Sequence, residues 1–146
     1  MILYFNNRVF DKEFLKKALE NENNESIINL SIQEIKSKKN DILQKLNLTR
    51  DQHKQNLSKL KEYRYIDNIN DLNYGSFIRC INLKKINNLT LNNGGFVCDI
   101  KINNGIEILC RNNYNNFFQF KFDENLIFQK LTEQEKVILN VLKDLN

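Results

Sequence analysis

The stretch from Gly75 to Lys130 limits the fold more than any other. Five short runs in it alternate apolar with polar residues, around Phe77 to Ile81, Phe96 to Ile102, Ile106 to Cys110, Phe117 to Phe122 and Leu126 to Phe128, with Asn/Gly clusters between them. Period-two alternation marks half-buried strands, and Asn and Gly tolerate the left-handed backbone that tight turns require. Five such strands in succession predict a small five-stranded antiparallel barrel over about residues 77–129.

Registers can be read inside this stretch. Phe96, Cys98, Ile100 and Ile102 alternate with Val97, Asp99 and Lys101, and Ile106, Ile108 and Cys110 follow beyond Asn103-Asn104-Gly105. A two-residue loop would set Ile102 against Glu107, whereas a three-residue loop with Gly105 left-handed pairs Ile102 with Ile106, Ile100 with Ile108 and Cys98 with Cys110 on one face. The three-residue loop is therefore predicted. In the first strand Phe77, Arg79 and Ile81 face opposite to Ile78 and Cys80, so burying both faces would bury Arg79. Gly94-Gly95 permits a bend or bulge. Phe118, Phe120 and Phe122 are expected to face the core, and Leu126 to Phe128 to close the barrel.

The rest of the chain has helical spacing, which makes the fold class α+β. Asp11 is a good N-cap for a helix over about 11–20, with Phe10 and Leu15 spaced as a hydrophobic staple. Ile2 to Phe5 reads as an edge strand or a cover for the core. From Ile28 to Tyr63 apolar residues recur at alternating spacings of three and four, the register of a coiled coil, interrupted at Lys39, Thr49, His53 and Asn56. Two readings remain open: one long rod, or two antiparallel helices over about 26–47 and 49–64. Thr49-Arg50-Asp51-Gln52 is a capping-box pattern where the seam breaks, which favours the pair. Thr132-Glu133-Gln134-Glu135 repeats the pattern before a helix over about 133–145. Two regions result: a helical extension over 1–70, and a barrel domain with its C-terminal helix over 71–146.

Composition narrows function. The chain carries 26 Asn but one Ala and no Pro or Trp, a bias toward residues with A/T-rich codons that reads as genomic and not as a prion-like tract. A net charge of +4, spread without a polybasic block, permits nucleic-acid contact without arguing for it. With no apolar run of membrane-spanning length and no signal-peptide pattern, no membrane association is expected and the location is expected to be intracellular. Three cysteines without paired C-x-x-C spacing suit reduced thiols, so neither a metal nor another cofactor is expected.

Catalytic patterns are missing. No nucleophile elbow, zinc-protease helix, phosphate loop or dinucleotide fingerprint occurs, and His53, the one histidine, has no nucleophile or carboxylate at fixed spacing, so the chain reads as a non-enzyme. Cys98 opposite Cys110 suggests either a redox pair or two small core residues, with the core reading preferred. Tyr74, Phe77, Arg79, Leu109, Arg111, Tyr114, Phe117 and Lys121 are candidates for an interaction surface, because small barrels stack bases on exposed rings beside cations. The competing expectation is that flanking helices or another protein cover Phe77, Phe117 and Leu109.

The sequence Gly75-Ser-Phe-Ile-Arg79, followed by Gly94-Gly95-Phe-Val, the Ile-rich hairpin, Phe117-Phe-Gln-Phe and Leu126-Ile-Phe, resembles small proteins of large amoeba-infecting DNA viruses in which such strands begin an SH3-like barrel. Cys80 departs from that pattern, standing where an aromatic is expected. The resemblance implies a viral protein, in the virion or the host cytoplasm; the missing catalytic patterns and the apolar second face of the barrel point to a structural or adaptor protein that binds other proteins, with the seam over residues 28–63 serving either internal packing or self-association. A nucleic-acid-binding barrel with a helical oligomerisation arm is the alternative.

Overall fold

Two strands, four helices, six strands and a last helix follow one another in a computed structural model that describes residues 2–5 and 8–145, with side-chain surroundings for 12–144. The elements are β1 (Ile2–Phe5), β2 (Arg8–Asp11), α1 (Lys12–Glu20), α2 (Glu25–Ile28), α3 (Ile32–Gln44), α4 (Arg50–Lys59), β3 (Tyr63–Ile66), β4 (Phe77–Asn82), β5 (Gly95–Ile102), β6 (Ile106–Arg111), β7 (Phe117–Lys121), β8 (Asn125–Lys130) and α5 (Glu133–Leu145). The fold is α+β. Contacts group the chain into two compact units, residues 1–38 with 131–146, and residues 39–130.

In the first unit β1 and β2 form a separate two-stranded antiparallel sheet. The Phe10–Leu15 staple lies outside the described side chains. Ala18, Ile27, Ile35, Ile138 and Leu139 make the core. Helix α5 begins at the capping box read from the sequence: Glu135 N donates to Thr132 Oγ1 at 3.1 Å, and Thr132 N donates to Glu135 Oε1 at 2.9 Å. Gln134 Oε1 accepts from Asn21 Nδ2 at 2.8 Å and from Asn24 Nδ2 at 3.1 Å, so two asparagines after α1 are tied to the first turn of α5.

The second unit is an antiparallel sheet with strand order β3-β8-β4-β5-β6-β7. Here the sequence reading is corrected: the sheet has six strands instead of five, and it ends on β3 and β7 without closing into a barrel. The extra strand is Tyr63–Ile66, of which the helical reading over 49–64 takes in only Tyr63 and Arg64. Its tyrosines alternate with Arg64 and Ile66, and the strand pairs with β8, Tyr65 opposite Phe128. Strand β8 is therefore interior and not the closing strand. Leu126, Ile127 and Phe128 are all buried because both faces are covered, which explains why this strand is a continuous apolar run.

One face of the sheet carries Ile78, Cys80, Val97, Ile108, Cys110 and Ile127, with Phe118, Phe120 and Phe122 packed against them. The other carries Ile81, Leu126 and Phe128 beneath Leu43 and Leu60, with Leu46 and Leu57 beside them. The α3–α4 pair thus lies on the second face. Its chain reverses near Asn47, which has φ 53°, and α4 starts on Thr49, whose side chain accepts from Gln52 N while the Gln52 side chain accepts from Thr49 N. The two-helix reading holds, with shorter helices than 26–47 and 49–64.

Polar residues pin the connections. Lys39 is buried, and its Nζ donates to Leu60 O at 2.7 Å and Tyr63 O at 2.9 Å. Gln129 Oε1 accepts from Asn73 N at 2.9 Å and Ser76 Oγ at 2.7 Å, while its Nε2 donates to Asp71 O at 3.0 Å. A single buried amide thereby orders the linker before β4.

Candidate functional site

The surface is built from the β5–β6 register. Ile102 pairs with Ile106 and Ile100 with Ile108, as a three-residue loop demands; Asn104 and Gly105 take φ 53° and 117°. The third expected rung fails. A bulge between Val97 and Asp99 puts Val97, not Cys98, opposite Cys110, and Cys98 is the extra, exposed residue. The bulge also reverses the expectation for Phe96, which turns away from the core while Val97 is buried.

The glycines before it explain where the strand can sit. A Cβ on Gly95 would lie 2.8 Å from a Phe118 ring carbon and 2.9 Å from Arg111 O. Gly94, at φ +90°, would press a side chain into Ile78 O and the Phe77 ring. Only glycines allow this close approach of strands.

With Phe96 outward, opposing residues align across four strands: Phe77 with Phe96, Phe96 with Arg111, Arg111 with Phe117. The Phe77 and Phe96 rings meet edge to face at 5.1 Å. Asp99, Leu109 and Gln119 form the next row, and Lys101, Glu107 and Lys121 the third. Gln119 Nε2 donates to Glu107 Oε2, and Lys101 Nζ lies 3.9 Å from Asp99 Oδ2.

Of the residues singled out from the sequence, Phe77, Leu109, Arg111, Phe117 and Lys121 share this face. Phe117 is 63% exposed and not covered by helix. Phe77 is half-buried and packs with the core beneath α3 and α4. Arg79 is on the same face but opposite Phe128, half-buried, its Nε donating to Asn92 O at 2.9 Å. Tyr74 is exposed on the segment before β4, outside the rows. Tyr114 is exposed in the β6–β7 loop, where Asn112 Oδ1 accepts from Tyr114 N at 2.9 Å, and it borders a cavity with Asn92, Gly94 and Phe118. Phe96 was missed because strict alternation assigned it inward; the Gly94-Gly95 pair was the available signal of a bulge.

The cysteines part company. Cys80 and Cys110 lie together in the core, and burial raises both thiol pKa values, with Cys110 adding to the rise at Cys80 and Cys98 to that at Cys110; Cys110 is pushed up to about 12. All three cysteines are free thiols. Among the described residues no three His, Cys, Asp or Glu side chains gather as a metal site, and no helix is long and apolar enough to cross a membrane.

No family model matches the chain, and no curated protein or solved structure matches it.

Proposed function

We propose that the chain is a non-enzymatic structural or adaptor protein that contacts other proteins through the outer strip of β5, β6 and β7. The carrying observation is the Phe96–Arg111–Phe117 row, left open on the same sheet face that α3 and α4 cover elsewhere. Aromatic residues and arginine dominate the energetic centres of protein interfaces. Around them, Lys101 and Lys121 are balanced by Asp99 and Glu107, a mixed rim suited to a protein partner. The resemblance to small proteins of amoeba-infecting viruses extends this reading to a viral component of the virion or host cytoplasm, built on a relative of the SH3-like barrel.

A nucleic-acid-binding role is the second reading, favoured by one feature: a guanidinium between two rings suits base stacking. Two measurements separate them. A photocrosslinking phenylalanine at position 117 should give one discrete protein adduct in cells, absent when the same group replaces exposed Ile86. Equal labelling at both positions would sink the adaptor reading. Binding to oligo-dT at low salt that falls steeply as salt rises would establish the second reading in its place.

A further inference from the structure

We infer that the free edge of β7 is a docking groove for an extended, uncharged polypeptide segment of a partner protein, which joins the sheet there as a further strand. This rests on the adaptor reading but uses the backbone edge of β7 and the Phe118–Phe120 face, adjoining the outer strip at Glu107, Gln119 and Lys121.

The backbone supplies the first argument. Strand β7 ends the sheet and, among the described residues, pairs only with β6. Asn112 N donates to Asn116 O at 2.9 Å, so that opposing pair is hydrogen-bonded. Hydrogen-bonded and non-bonded pairs alternate along an antiparallel ladder, which makes Cys110–Phe118 and Ile108–Phe120 the next bonded pairs. Phe118 and Phe120 therefore spend their amide groups on β6. Phe117 and Gln119 turn both of theirs to the open side, and Lys121 turns its N–H there, its carbonyl already accepting from Asn125 Nδ2 at 2.9 Å.

That open side is a groove. Three cavities of about 270, 280 and 320 Å³ follow one another along β7. The first and second share Asn92 and Phe118; the second and third share Asn82, Phe120 and Asn125. A five-residue strand is about 17 Å long, the reach of an equally long extended peptide. The Phe118 and Phe120 rings, with centroids 6.2 Å apart and planes 22° apart, give the groove an apolar floor.

Carboxamides make the opposite wall. Asn92 Oδ1 accepts from Cys80 N at 2.8 Å and Asn82 Oδ1 from Lys84 N at 2.9 Å, leaving both NH₂ groups to the groove; Asn125 donates to Lys121 O at 2.9 Å and keeps its oxygen. Both walls thus present amide donors and acceptors, the complement of a peptide backbone. Charge selects among extended ligands. Lys85 borders the second cavity, Lys121, Glu107 and Glu124 border the third, and Glu124 is paired with Lys84 at 2.8 Å, so the groove concentrates no positive charge to hold a phosphate backbone. An uncharged strand fits, its alternate apolar side chains resting on the Phe118 and Phe120 rings.

The test is titration of the ¹⁵N-labelled full chain with the soluble probe acetyl-Thr-Val-Ser-Val-Thr-Ser-amide, in three forms: unmodified, and N-methylated at either set of alternate nitrogens. The unmodified probe should shift the amides of Phe117, Gln119 and Lys121 and the side-chain NH₂ signals of Asn82 and Asn92. One N-methylated form should bind about tenfold more weakly or worse, the scale of one or two lost hydrogen bonds, while the other binds as the parent does. Equal binding by both methylated forms, no shifts at millimolar probe, or displacement of the probe by oligo-dT would overturn the inference. Shifts confined to Phe96 and Arg111 would overturn it too, yet leave the adaptor reading standing. Edge shifts without a crosslink at position 117 would keep the groove and remove the outer strip.

Discussion

Replacing Lys39 with methionine tests how the helical pair is fastened to the sheet. The Lys39 ammonium is buried and bridges two carbonyl oxygens, that of Leu60 at the end of α4 and that of Tyr63 at the start of β3. Methionine fills similar space but leaves both oxygens without that donor, at a cost of about 1–3 kcal/mol each. Removing a buried charge offsets part of this. The expected net loss is roughly 2–3 kcal/mol, which for a chain of this size lowers Tm by about 5–10 °C. Urea unfolding should show a midpoint lower by about 1 M or more at an unchanged slope. Lys38→Met, on the exposed neighbour, should stay within about 0.5 kcal/mol of the parent. A Lys39→Met protein as stable as the Lys38→Met control would refute the argument that this ammonium joins α4 to β3.

Gly94→Ala, with both a left-handed φ and a collision with the Ile78 carbonyl, should cost about 3 kcal/mol or more, while Gly105→Ala, strained in φ but with open space around it, should cost about 1 kcal/mol; thermal melts of the pair give the order. Native protein should react with a thiol reagent at Cys98 alone, and Cys80 and Cys110 should react only on unfolding, as counted by mass spectrometry. Because burial holds the Cys80 and Cys110 protons, the unfolded chain loses its thiol protons first, and stability should fall as pH rises from about 9 toward 12, by up to about 1.4 kcal/mol per pH unit for each thiol. A Cys80→Ala, Cys110→Ala protein should show a shallower alkaline decline in urea titrations. Deleting Cys98 removes the extra residue while leaving Val97 opposite Cys110 and Asp99 opposite Leu109, so stability should change by no more than about 1 kcal/mol and Phe96 should stay exposed to solvent in fluorine NMR.

Local chemistry made much of the fold legible. Both capping boxes, the Asn103-Asn104-Gly105 loop and the face assignments of β4 and β7 follow from side chains within a few residues of one another, where sequence spacing and spatial proximity coincide. What was not legible depends on distant partners. Tyr63 continues the helical spacing, and only pairing with β8, more than sixty residues later, makes Tyr63–Ile66 a strand. The seam interruptions were visible as interruptions, but their uses were not. Lys39 meets carbonyls about twenty residues away, and His53 Nε2 lies 3.0 Å from Asn40 Oδ1 across the helical pair. Of the candidate surface, the β6 and β7 members were found by alternation, whereas Phe96 was lost to one unpaired residue.

That residue explains why the two proposed surfaces are centred on different aromatic side chains. A regular β5 would have turned Phe96 and Cys98 toward the core opposite Cys110, leaving Val97 on the outer face. The bulge at Cys98 instead buries Val97 and gives Phe96 to the outer row, where Arg111 lies between it and Phe117. Strand β7 then contributes to two surfaces by its pleat: Phe117 belongs to the outer strip, Phe118 and Phe120 lie under the groove, and Gln119 and Lys121 stand where the two adjoin. Substitution at Phe117 changes an outer side chain without removing an edge amide, and substitution at Phe120 does the reverse to the groove floor. The strand can therefore lose either surface by a single side-chain change, which is what makes the two proposals separately testable.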